Sequence, residues 1–181
     1  MSGVITRGST FVGTVSSSQD NAGFQRAFDE HYRDILAYAQ RRSSPVDAED
    51  IAAETFTIAW RRWTSAPPDA VRLWLFGIAR KVLANSNRGL RRRARLSTKV
   101  TSLTNGSTLD PSYGEHADVA QAMAILRFQD REIIRLHCWE DLSISEIAVV
   151  LGCSPNAASI RLHRAKQQLG QALASISGGR S

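Results

Sequence analysis

The sequence predicts an all-α protein: two small helical domains joined by a flexible linker, the C-terminal one a helix-turn-helix. Three observations carry this. From Phe24 onward apolar residues recur at helical spacing, and no strand-like alternation of useful length follows. Over 97–116 that periodicity gives way to Ser, Thr, Asn, Gly and Pro, the composition of a linker. Within 142–169, two sets of helix caps flank a single glycine.

Residues 1–23 are rich in Ser, Thr and Gly without a sustained period and read as a disordered tail. Phe24, Phe28, Ile35 and Ala39, with Tyr32 alongside, predict the first helix. Asp47 opens the next, with Glu49 and Asp50 in its first turn, where carboxylates suit the positive end of the dipole. Ile51, Ala52, Thr55, Phe56, Ala59 and Trp63 form its buried side. Asp50 and Glu54, four apart, leave an acidic strip outside, either a solvated face or a docking surface for a basic partner.

Pro67 and Pro68 make 64–70 a loop. A long helix follows over 71–95, with Val71, Leu75, Ile78, Ala79 and Val82 toward the core. Lys81, Asn85, Arg88, Arg92 and Arg95 fall within an arc of about 80° at 100° per residue, and Trp74 heads the same stripe. A cationic helix face continued from an aromatic ring suits a nucleic-acid backbone and unstacked bases. A membrane-surface helix would be cationic too, but the most basic stretch here has almost no apolar face. The charge distribution points the same way. The chain carries a net +6, yet residues 70–109 hold nine Lys/Arg and no acid, while the two flanks hold seven against nine and seven against eight.

After the linker, 116–128 is helical on Val119, Ala122, Met123 and Leu126. Asp130 is expected to cap a helix carrying Ile133, Ile134, Leu136 and Cys138. Cys138 and Cys153 read as small core residues, too few for a disulfide framework. Ser143 and Glu146 form a capping box, and Ile144, Ile147, Ala148 and Leu151 share a face. Gly152 supplies a left-handed turn, and Ser154-Pro155 restarts a helix with core residues Ala158, Leu162, Ala165 and Leu169. Arg161, His163, Arg164 and Lys166 lie off that stripe. This is the layout of a DNA-reading helix-turn-helix, although an ordinary corner between two helices would carry the same caps. Beyond 173 a fraying tail, 174–181, is expected.

The segments DAEDIAAETFTIAW, WLFGIARKVLANSNRGLRRR and LSISEIAVVLGCSPNAASIRLHRAKQQL, in that order and separated by a linker, closely resemble bacterial RNA polymerase sigma factors of the extracytoplasmic-function subgroup. The resemblance implies a sigma domain 2 over 24–96, binding core polymerase and the minus-ten element, and a sigma domain 4 over 117–173, binding the minus-thirty-five element. It maps docking on core RNA polymerase onto Asp50, Glu54, Thr57 and Arg61. It assigns the minus-ten strand to the 64–70 loop and to Trp74, Lys81, Asn85, Arg88 and Arg92. For the minus-thirty-five duplex it implies base or near-base contacts at Asn156, Ser159, Ile160 and His163, with Arg161 and Arg164 on phosphates. Three positions depart from the family pattern. Lys81 stands where asparagine is common, Ser159 where Lys or Arg is frequent, and Ile160 where serine is frequent, so the promoter sequence read is in doubt. An anti-sigma partner is common in the family.

Two other readings exist. An autonomous helix-turn-helix regulator would explain 117–173 but not a basic helix beside an acidic strip. A nuclease would need catalytic carboxylates or metal ligands, and His31, His116, His137 and His163 show no ligand spacing, so no metal, cofactor or catalytic residue is expected. With no apolar run near ~18 residues and no signal-peptide layout, a soluble cytoplasmic protein is expected.

Overall fold

A computed structural model describes the backbone of residues 13–96 and 117–178, with side chains over 20–86 and 117–178. The first helix, α1, spans Gly13–Gln40. Residues 13–23, expected as part of the tail, are therefore helical. Their sequence has poor intrinsic helix propensity, but helix propagates cheaply from a packed nucleus. That nucleus is visible: Phe24 stands edge-on to Trp60 and Trp63, with centroids at 4.9 and 5.5 Å, and Gly23 lies against the Trp63 ring.

Helix α2, Pro45–Arg61, begins ahead of the expected Asp47. Ser44 is its cap: its Oγ accepts from the Asp47 amide at 3.2 Å, and Pro45 occupies the first turn, where no N–H is needed. Asp47 instead accepts from the Ser44 hydroxyl at 2.6 Å. The helix buries Ala48, Ile51, Ala52, Thr55, Phe56 and Ala59, and the Thr55 hydroxyl donates to the Ile51 carbonyl at 2.7 Å, so no polar group is stranded. Two short 3-10 turns, Trp63–Ser65 and Pro68–Ala70, form the expected loop. Helix α3, Val71–Leu96, follows it directly.

In the C-terminal part, α4 is Ala117–Ile125, α5 Phe128–Cys138, α6 Ile144–Leu151 and α7 Pro155–Gly178. No strand occurs among the described residues. Three expectations are corrected here. Asp130 does not cap α5; Arg127 holds that position without a side-chain bond, and Asp130 lies in the first turn. Cys138 is exposed, not core, because it is the last residue of α5, where the chain turns so that Leu142 N–H reaches the Leu136 carbonyl. The fraying tail is helical through Gly178, since Ala172 is buried and Leu173 and Ile176 pack on the core. The expected linker, 97–116, lies outside the described residues.

The helices form two units, α1–α3 and α4–α7, and these pack on each other around one contiguous hydrophobic core. Phe76 and Leu83 of α3, outside the apolar stripe read from the sequence, are buried with the rest.

Candidate nucleic-acid interface

The helix-turn-helix is assembled by its own caps. The Ser143 Oγ accepts from the Glu146 amide at 3.3 Å, and Glu146 Oε2 accepts from the Ser143 amide at 2.8 Å and from its hydroxyl at 2.6 Å. These bonds hold the Glu146 carboxyl below its usual range. Gly152 adopts φ 66°, ψ 44°, a left-handed end that suits glycine, and the Cys153 amide returns to the Ala148 carbonyl at 3.0 Å. Ser154 Oγ then accepts from the Ala157 amide at 3.2 Å and starts α7.

On α7, Ala158, Leu162 and Ala165 are buried against the domain. Asn156, Ser159, Ile160, Arg161, His163 and Arg164 are all exposed. At 100° per residue, Asn156, Ser159, Ile160 and His163 share an arc of about 100°, with Arg164 about 40° beyond its edge and Arg161 about 100° beyond it, toward the buried side. An exposed isoleucine (45% accessible) at one edge of that arc has no packing duty and suits contact with a thymine methyl.

On α3, Leu75, Ile78, Ala79 and Val82 are buried, and Val71 is half-buried. Lys81 and Asn85 are exposed and, with Arg80, Ala84 and Phe128, line a concavity of about 280 Å³. Trp74 is half-buried, its ring 6.3 Å from that of Trp63 at 60°. Thus Trp74, Lys81 and Asn85 come together on one face. The backbone of Arg88 and Arg92 continues in α3, while their side chains lie outside the described residues.

Asp50, Glu54, Thr57 and Arg61 are exposed along one side of α2, and neither carboxylate enters an ion pair among the described residues. The Thr57 hydroxyl is turned inward to the Ala53 carbonyl at 2.8 Å.

Sequence reasoning missed a second polar constellation, between the two units. Arg42, at the end of α1, reaches Glu132 and Glu140 of the other unit, with Tyr38 beneath it. Its pKa stands above the usual value: burial disfavours the charge, but the Glu132 and Glu140 carboxylates outweigh that. Burial and the adjacent Glu132 likewise push the Tyr38 hydroxyl up. No local pattern marks these residues, because the partners are 90 or more positions apart. Among the described residues no cluster of His, Cys, Asp or Glu is brought together as a metal site, and no helix is long and apolar enough to cross a membrane.

Comparison with known proteins gives two family matches, sigma-70 region 2 over residues 27–95 and sigma-70 region 4 over residues 116–169. The RNA polymerase sigma-E factor of Streptomyces avermitilis is 30% identical over 156 residues, covering 82% of this chain and 86% of that protein. The ECF RNA polymerase sigma factor SigL of Mycobacterium tuberculosis is 30% identical over 161 residues, covering 82% and 88%. The solved structure of CnrH in complex with the cytosolic domain of CnrY superposes with a TM-score of 0.63 at 30% identity, covering 88% of this chain and 95% of that one.

Proposed function

Because this chain belongs to the extracytoplasmic-function sigma factors of the sigma-70 family, which bring core RNA polymerase to specific promoters, we propose that three exposed surfaces divide that work. The α2 strip of Asp50, Glu54, Thr57 and Arg61 docks on core polymerase. The α3 stripe of Trp74, Lys81, Asn85, Arg88 and Arg92, with the 64–70 loop, receives the non-template strand of the minus-ten element. The exposed arc of α7 reads the minus-thirty-five duplex: Asn156, Ser159, Ile160 and His163 at base edges, Arg161 and Arg164 at phosphates. On this reading 24–96 and 117–173 are the two functional domains.

The stripe on α3 carries the reading. Opening DNA forfeits roughly 1.4 kcal/mol of stacking per step. A protein with no fuel can offset that only by holding the open strand better than the duplex. Ring faces hold unstacked bases, and a cationic track holds their phosphates without regard to sequence. Exposed Lys81 and Asn85 running on from Trp74 are such a track, on a helix whose opposite side is locked in the core. Transcription initiation asks no bond-making of this chain; the polymerase performs the chemistry, and the protein acts where the polymerase is, in the cytoplasm. Control by a protein partner belongs to the same proposal, and the CnrH structure, in which that relative is bound by a cytosolic domain, supports it.

Permanganate footprinting of core polymerase plus this chain on genomic fragments tests the reading. Reactive thymines upstream of mapped start sites are expected. They should vanish when Lys81→Ala and Asn85→Ala are combined, and a bubble of unchanged reactivity in that variant would reject the track.

A further inference from the structure

We infer that the concavity where Phe128 of α5 meets α3 is a binding site for one free nucleotide, its phosphate held by Arg80 and Lys81 and its base laid on the Phe128 ring. The site shares Lys81 and Asn85 with the strand track proposed above but not Arg80 or Phe128, so the two readings can be tested apart.

The lining is made of Arg80, Lys81, Ala84 and Asn85 of α3 and of Phe128, the first residue of α5. On α3 these form two rows, each one helical turn long: Arg80 with Ala84, and Lys81 with Asn85. Two members are cations and none is an acid. Neither Arg80 nor Lys81 enters an ion pair among the described residues, and Arg80 Nε is buried without a hydrogen-bond partner. Other arginines of the fold are matched. Arg42 is met by Glu132 and Glu140, Arg72 by Asp34, and Arg131 by the Ala124 and Leu126 carbonyls. Arg80 is instead held beside an open concavity with no counter-charge. A cation partly withdrawn from water and left unbalanced favours an anionic ligand, whose oxygens restore the missing interactions.

The rest of the lining narrows the anion. The concavity measures about 280 Å³, at the foot of the roughly 300–1,000 Å³ range of small-molecule sites. That is room for a single nucleotide and too little for a dinucleotide cofactor. A phosphate ester can meet the fork of Arg80 and the ammonium of Lys81 at the same time. Phe128 decides against bare phosphate. Its side chain is 40% exposed and meets no other aromatic ring among the described residues. Inorganic phosphate would leave that ring in water, whereas a base stacked on it removes both faces from solvent. The exposed Asn85 amide both donates and accepts, as a base edge requires. A nucleotide seated here engages Lys81 and Asn85, so its occupancy opposes capture of the minus-ten strand.

Calorimetric titration of the full chain tests this, with the four ribonucleoside 5′-monophosphates, the matching nucleosides and inorganic phosphate as probes. At least one monophosphate should bind at a single site, about tenfold or more tighter than its nucleoside and than phosphate. Arg80→Gln and Phe128→Ala should each weaken it about tenfold, the first by removing a partner of the phosphate, the second by removing the stacking surface. Ala84→Leu, which fills the concavity without altering a charge, should abolish binding. Circular dichroism checks the helix content of each variant, and Lys81→Ala, at an exposed position, repeats the test if another loses helix. Phosphate binding as tightly as the monophosphates would reduce the site to an anion hole, and nucleosides binding as tightly would reduce it to an aromatic shelf. Either result overturns the nucleotide assignment. Absence of binding, or binding indifferent to every variant, overturns the site itself. With core polymerase, Phe128→Ala should keep its permanganate-reactive bubble; loss of the bubble would merge Phe128 with the strand track and overturn a separate site. A bubble that survives Lys81→Ala with Asn85→Ala, while nucleotide binding is lost, rejects the strand track and leaves the nucleotide site standing.

Discussion

At the scale of single residues, the turn before α6 shows how much depends on one hydroxyl and one carboxylate. Ser143 and Glu146 satisfy each other's amides, and replacing such a cap by alanine costs about 1 kcal/mol. In a domain of this size Ser143→Ala should therefore lower the melting temperature by roughly 2–4 °C at neutral pH. Because Glu146 has a depressed pKa in the folded chain, its contribution is complete above the ordinary carboxylate value of 4.5 and fades as pH falls through the lower, folded value. The gap between Ser143→Ala and wild type should narrow in that acid window. A gap that stays constant by calorimetry down through it would remove the carboxylate from the cap. Ile160 has a different duty. As an exposed apolar side chain on the α7 arc, it should discriminate at one base pair, where a mismatch typically costs about 1–3 kcal/mol. Ile160→Ser should reorder minus-thirty-five preferences in a binding-site selection while leaving non-specific duplex affinity nearly unchanged. Uniform weakening across all sequences would place Ile160 against the backbone instead.

At the scale of helices, α2 and α3 divide labour between faces. Each buries one side in the shared core and leaves residues of the other exposed: Asp50 and Glu54 on α2, Lys81 and Asn85 on α3. Neither Asp50 nor Glu54 has a cation to satisfy among the described residues, so their charge is available for recognition. Asp50→Arg with Glu54→Arg should leave helix content intact and cut co-purification with core polymerase at least tenfold. Undiminished co-purification would return the strip to the role of a solvated face. The aromatic cluster of Phe24, Phe28, Tyr32, Phe56, Trp60 and Trp63 braces α1 against α2 and reaches Trp74 through Trp63, so the head of the α3 stripe is fixed from behind.

At the scale of the whole molecule, the buried charges decide how the two units sit. Removing one partner from such a set leaves an uncompensated charge and costs about 3–5 kcal/mol in the buried state. That exceeds what most single interface contacts supply, so the packing of the two units is sensitive to Arg42, Glu132 and Glu140 out of proportion to their number. Their burial also shields the pairs from salt far better than the exposed Arg72–Asp34 pair, whose side chains are 39% and 44% accessible. Moderate ionic strength is therefore expected to weaken DNA binding more than it weakens that packing. The helix-turn-helix, the α3 stripe, the α2 strip and the family resemblance are legible in the chain itself, because caps, glycine turns and the 3.6-residue period act between neighbours in sequence. The miscast positions share a cause. Residues 13–23 and 174–178 are helical as continuations of helices anchored by Phe24 and by Ala172, Leu173 and Ile176, and Phe76 and Leu83 become core through packing against distant elements. The pairing of Arg42 with Glu132 and Glu140, and the seating of α6 at Gly77, left no trace in the sequence. Each joins residues from two units across a linker, and a buried charge finds its counterpart by where the fold places it, not by spacing along the chain.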